Sequence, residues 1–255
     1  LDAAKDGYTW GSGAIHDLGT YAVRGSLNTQ VKDWHIYLDS MNATVISVNP
    51  DAPIKDFGEF INWMKTKPND LSVAIAGIPS AGHTTIEAIK AHVEGGGYKS
   101  VAYDGGNPAV ISTVAGETIA TPQLLSEQME MIRGKKLRPV AVMAAEAVEL
   151  EGAGNVPSVK QWLPKLDPTP YYFGIWAPKG VPEEVVNKMN EVWEKHIKTS
   201  AALKQWAKDK GQVVFAHYGE DAVKRVWPAI RAAAWGLQNS GQAKVNPADL
   251  GFEKP

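Results

Sequence analysis

Gly77, Gly82 and Thr84, in the stretch AGIPSAGHTT (76–85), stand at the spacing of the phosphate loop G-x-x-x-x-G-K-[ST], with His83 where that loop carries lysine. Such a loop holds an anion: backbone N–H groups face the ligand, and the helix that follows adds partial positive charge. Lysine stays charged at neutral pH, whereas histidine has an unperturbed pKa of about 6.5 and a shorter reach. No apolar strand ending in a magnesium-binding aspartate follows. The loop therefore reads as a cradle for an anion other than a nucleotide, with His83 a helix-start residue bonded to neighbouring loop backbone. Three further segments share its small-residue character: GSGAIHD (11–17), YDGGNPA (103–109) and ATPQ (120–123). Small residues let the backbone approach a ligand closely. Each alone is also what an ordinary strand-to-helix turn looks like, but several at one edge of one sheet make a cleft for a small anion.

Other chemistries have less to stand on. Ser12 and Ser80 lie in glycine-bearing turns but lack the G-x-S-x-G elbow of a hydrolase. Asp104 and Glu117 read as solvated turn acids, and Lys135 and Lys136 as a solvated turn between helix and strand. The chain has no cysteine and six scattered histidines without H-E-x-x-H spacing, so thiol nucleophiles are excluded and neither a metal nor another cofactor is expected. Nine tryptophans should serve mainly in cores, with one or two along a cleft.

With 255 residues, 44% hydrophobic, 21% charged and a formal net charge of -2, the composition suits a globular chain of one large or two ordinary domains. Nothing resembles the clustered basic footprint of a nucleic-acid binder. No run approaches the roughly 18 apolar residues of a membrane span. Absence of cysteine fits an oxidising compartment such as a periplasm. Leu1 is not an initiator methionine and the first residues lack a leader pattern, so either a leader has been removed or the chain starts inside a longer one.

Strand-like and helix-like segments alternate along the chain, which predicts βαβ units and a mostly parallel sheet. Strands are expected at 8–10, across 34–49, and at 71–77, 100–103, 118–121, 137–144 and 171–177. Helices are expected at 57–64, 84–93, 108–114, 126–133, 183–193, 201–209 and 221–238. Phe57, Phe60, Ile61 and Met64 fall at helical spacing, as do Val185, Val186, Met189, Val192 and Trp193.

Taken in order, these segments resemble the solute-binding proteins of tripartite tricarboxylate transporters, the Bug-type receptors. KDGYTW, VKDW, VISVNPDAPIKDFGEF, AGIPSAGHTTIE, VAYDGGNPA, VAGE, GKKLRPVAV, NVPSV and WAPKGVPEEVVNKMN carry the likeness, from about Asp2 to Trp235. The resemblance implies an α/β fold of the two-lobed type II periplasmic binding protein kind, each lobe a mostly parallel sheet flanked by helices. Residues 1–46 plus 173–255 would form domain I and 47–172 domain II, with strands near 44–48 and 173–177 as a hinge. The usual N-terminal strand, loop and helix are not in the sequence, so domain I is expected to be incomplete. Further departures are Ile78 and Pro79 in place of smaller residues, Asp104 for a common lysine, and Ile119 for an acid. Pro79 is where ligand preference is expected to differ.

The function so implied is a periplasmic, non-enzymatic, monomeric receptor that binds a small carboxylate and works with membrane transporter subunits. Ser12, Gly13 and Ala14 would face the ligand from domain I. Ser80, Ala81, Gly82, His83 and Thr84 would face it from domain II, with Tyr103, Gly105, Gly106 and Thr121 as the floor. Trp176, with Trp10, would form an apolar wall or pack in a core. A Ser80/His83 hydrolase and a ligand-sensing protein are the alternatives.

Overall fold

The computed structural model describes residues 3–78 and 80–254, so the expectation about Pro79 lies outside the described residues. The chain divides into two compact units. One holds the residues up to Met41, Tyr171–Asp209 and those from Val213 on; the other holds Asn42–Pro170 and Lys210–Gln212. In chain order come β1 (Gly11–Ala14), α1 (Ile15–Thr20), β2 (Trp34–Asn42), β3 (Val45–Val48), α2 (Phe57–Thr66), β4 (Ser72–Ile75) and α3 (Ala81–Ala91). Next are β5 (Lys99–Ala102), α4 (Gly106–Val114), β6 (Ala120–Thr121), α5 (Leu125–Arg133), β7 (Arg138–Val142), β8 (Val148–Leu150) and β9 (Gly154–Val156). β10 (Tyr171–Pro178), α6 (Glu183–Val192), α7 (Ala201–Asp209), β11 (Val213–Tyr218) and α8 (Gly219–Asn239) complete the series.

The first unit is built on a sheet in the order β1-β10-β2-β11. Ile15 and Leu18 of α1, Ile36 and Leu38 of β2, Trp176 of β10, and Ala222, Val226 and Ile230 of α8 share one buried core. Gly174 in β10 is fixed by its neighbour: a Cβ there would lie 2.1 Å from the Tyr37 carbonyl oxygen of β2. The second unit is built on β5-β4-β6-β3-β7, with a β8–β9 hairpin beside it. Its larger core joins Phe57, Phe60 and Met64 of α2 to Val73 and Ile75 of β4 and Ile86 and Ile89 of α3. α2 starts where it does because Asp56 Oδ1 accepts from Glu59 N–H at 2.8 Å, while Glu59 Oε2 accepts from Lys55 N–H at 2.6 Å.

The α/β class with helix-flanked sheets stands, but the sheets are mixed instead of mostly parallel. β4 runs parallel to β5 and β6, whereas β3 runs antiparallel to β6 and β7, and β1–β10 and β2–β11 are antiparallel pairs. Parallel neighbours need a crossover connection. β3 instead follows β2 after only Ala43 and Thr44, and so enters its sheet with no helix before it.

The strand expected at 8–10 begins three residues later. Tyr8 is 90% exposed, and pairing starts at Gly11 opposite Trp176. A Cβ on Gly11 would fall 2.2 Å from the Trp176 indole nitrogen, so only the glycine stretch can pass over that ring. The β8–β9 hairpin and β11 were not expected from the sequence.

The turn after α5 shows how a lysine replaces a glycine. Lys136 N–H bonds to Met131 C=O at 2.8 Å and Lys135 N–H to Ile132 C=O at 2.9 Å, the double bond of a Schellman cap. Its left-handed position is held by Lys135, at φ 56. We expect Lys135→Gly to raise unfolding free energy by about 1 kcal/mol in urea titration, since glycine takes this conformation without a Cβ clash. Gly174→Ala should act oppositely, lowering it by about 3 kcal/mol, because the added methyl meets backbone that cannot move aside.

Candidate functional site

In the second unit β5, β4 and β6 are parallel neighbours, so the turns that follow them emerge at the same edge of the sheet. Three helices start there: α3 after Ser80, α4 after Gly105 and α5 after Leu124. This edge gathers Ser80, Ala81, Gly82, His83, Thr84, Tyr103, Gly105, Gly106 and Thr121. Ser12, Gly13, Ala14 and Trp176 belong to the other unit, on the paired strands β1 and β10.

Ser80 is the N-cap of α3: its Oγ accepts from His83 N–H at 3.1 Å and its carbonyl from Thr84 N–H at 2.9 Å. The amides of His83 and Thr84 are thus spent on the cap. Ala81 and Gly82 N–H remain, with no acceptor among the described residues. The link expected between His83 and loop backbone is made by its main chain. The His83 side chain is buried, which lowers its pKa despite the opposing charge of Glu87. Gly77, at φ 83, turns the loop, and Ile78 stands 64% exposed at its tip.

Two glycines at this edge are set by protein side chains. A Cβ on Gly82 would lie 2.6 Å from the Gln123 amide nitrogen, and one on Gly106 would lie 2.0 Å from Glu127 Oε1. Glu127 also accepts from Leu124 N–H at 3.1 Å, and burial pushes its pKa up. Thr121 is fully buried and donates to the Ala74 carbonyl at 3.3 Å, so its hydroxyl supports the floor from behind. Gln123 shares that carbonyl at 3.5 Å, and Gln128 Nε2 donates to Val45 C=O and Gln123 C=O at 2.7 and 2.8 Å. Sequence reasoning placed Gln123 in the ATPQ turn without giving it a role, and missed Glu127 and Gln128. The available signal was a glutamine at an apolar position of α5, between Leu125 and Met129 on its buried face.

In the first unit Gly13 sits at φ 143 and Ser12 is exposed. Trp176 is 5% exposed and packs in the core of this unit. Trp10 packs on Tyr37, with ring centroids 5.9 Å apart, and its indole donates to Gly7 C=O at 2.7 Å. Two residues after Ala14, His16 is buried against Tyr171, and burial lowers its pKa from 6.5 to about 4. Among the described residues no three His, Asp or Glu side chains converge as a metal site, and no helix is long and apolar enough to cross a membrane.

Residues 1–226 match the model of the tripartite tricarboxylate transporter family receptor, and the chain belongs to that family. It is a family of solute-binding receptors, not of enzymes. A UPF0065 protein from the tcbD–tcbE intergenic region of Pseudomonas sp. strain P51 is 28% identical over 158 residues, 60% of this chain and 45% of its own. A TctC solute-binding protein from Polaromonas aligns with TM-score 0.72 and 25% identity, over 94% of this chain and 80% of its own. MatC from Rhodopseudomonas palustris, with bound malate, aligns with TM-score 0.74 and 20% identity over 93% and 79%. The chain spans about half the length of the curated relatives it matches, between 45% and 60%.

The depressed His16 pKa fixes a pH response. The unfolded chain takes up a proton near pH 6.5 and the folded one near pH 4, so the stabilising contribution is complete above 6.5 and is lost as pH falls towards 4. Over that window we expect wild type to lose about 3 kcal/mol more than a His16→Phe variant, measured by urea unfolding at each pH.

Proposed function

We propose that the chain is an extracytoplasmic receptor that holds a small organic carboxylate and delivers it to the membrane subunits of a tripartite transporter. It acts as a monomer and without a cofactor. The observation that carries this reading is the gathering of three helix starts at one sheet edge, in a chain of a receptor family. The Ala81 and Gly82 amides at the start of α3 supply donors for a carboxylate oxygen, and Gly105, where a Cβ would meet only Pro108 at 3.7 Å, leaves the turn before α4 open to close approach. Tyr103 and the exposed face of Thr84 border the same edge. The other unit offers the Ser12 hydroxyl and the backbone of Gly13 and Ala14. A malate-bound neighbour of the same fold supports a carboxylate as the ligand class.

Isothermal titration with acetate, succinate, malate, adipate, citrate and benzoate tests this directly. One or more should bind with one-to-one stoichiometry, and neutral sugars should not. Failure of all six carboxylates would overturn the reading.

A further inference from the structure

We propose that His16 is a ligand-recognising side chain of the first unit, its imidazole N–H donating to a carboxylate oxygen of the bound solute. This rests on the carboxylate-receptor reading above and assigns it a residue outside the small-residue turns.

His16 is 7% exposed, and neither ring nitrogen has a hydrogen-bond partner among the described residues. Buried polar groups in folded proteins are almost always paired, and a neutral imidazole carries one donor and one acceptor. Asn42 and Gln128, each with one orphaned buried oxygen, keep a bond through the amide nitrogen; His16 keeps none. The ring is held in place without being satisfied. It lies 4.5 Å from the Tyr171 ring and 6.2 Å from that of Tyr172, stacked on the latter within 6°. Those contacts fix its orientation through its faces and leave the nitrogen edge uncommitted.

Position adds a second line of argument. His16 follows Ser12, Gly13 and Ala14, the exposed and half-buried stretch that offers this unit's other polar groups. Tyr171, whose ring lies 4.5 Å from the imidazole, is half-buried and is the first residue after the chain returns from the second unit. Lowered basicity keeps the ring neutral at pH 7, so it supplies a hydrogen bond without a fixed charge.

The test compares wild type with His16→Phe and His16→Gln, titrated with the six carboxylates above. It also follows the His16 ring nitrogens of the wild type by 15N NMR, with and without saturating ligand. We expect His16→Phe to weaken the bound carboxylate by about tenfold or more with an unchanged or higher thermal midpoint, and His16→Gln, which retains a donor, to lose less. The donor nitrogen should shift on ligand addition. Binding to His16→Phe within about twofold of wild type, or a ring signal unmoved at saturation, would overturn the proposal and leave a buried water as the partner. The NMR arm decides the matter if His16→Phe does not fold. Absence of any binding to wild type would overturn this proposal together with the receptor reading, whereas normal binding with indifferent variants would overturn this one alone.

Discussion

The second unit's candidate site depends on what the chain does after β6, which lasts only two residues. Pro122 follows, with no N–H to continue a ladder. The carbonyl of Ala74, in β4 beside it, is met instead by the Thr121 hydroxyl and the Gln123 amide. That arrangement pulls Gln123 down against Gly82, while Gln128 ties the Gln123 carbonyl to β3. The buried hydroxyl pair Thr44–Thr85, at 2.8 Å, joins the residue before β3 to the second turn of α3. The side chains of Thr85, Thr121, Gln123 and Gln128 are therefore committed to protein partners. In the turn before α3, the Ala81 and Gly82 amides are left without an acceptor among the described residues.

The first unit solves a different problem with similar means. Its edge strand β1 is short and nearly without side chains, because Trp176 fills the space beneath Gly11 and Gly13. β10 passes between β1 and β2 at a glycine for the same steric reason, set by the Tyr37 carbonyl. Tyr37 itself is almost fully buried, its hydroxyl bonded to Asn190 at 3.0 Å, and burial pushes its pKa up to about 12. Aromatic bulk and absent side chains are complementary halves of one packing scheme here.

Much of the fold was legible in the sequence because its helices announce themselves. Phe57, Phe60 and Met64 face one way, and the helix at 201–209 was read with its observed limits. Strands were less legible where their pairing is decided elsewhere. Gly11–Ala14 looked like a loop because the reason it is a strand lies at Trp176, far along the chain. Strand direction was misread because alternation reveals what precedes a strand in sequence, not which unit it comes from. At the site, Ser80 and the amides after it could be read from loop chemistry. Glu127 and Gln123 could not, since their importance arises only from where α5 lies against α3 and α4. His16 lies in the GSGAIHD stretch, yet the lack of partners for its ring nitrogens is a property of three dimensions.

The contacts of Gly82 with Gln123 and of Gly106 with Glu127 have a consequence for substitution. A side chain at either glycine would meet the far end of its opposite number, so it could be accommodated only with a rearrangement of Gln123 or of Glu127. A change at either glycine is therefore coupled to the conformation of a side chain on α5 or just before it, so substitutions at the two places are expected to be non-additive.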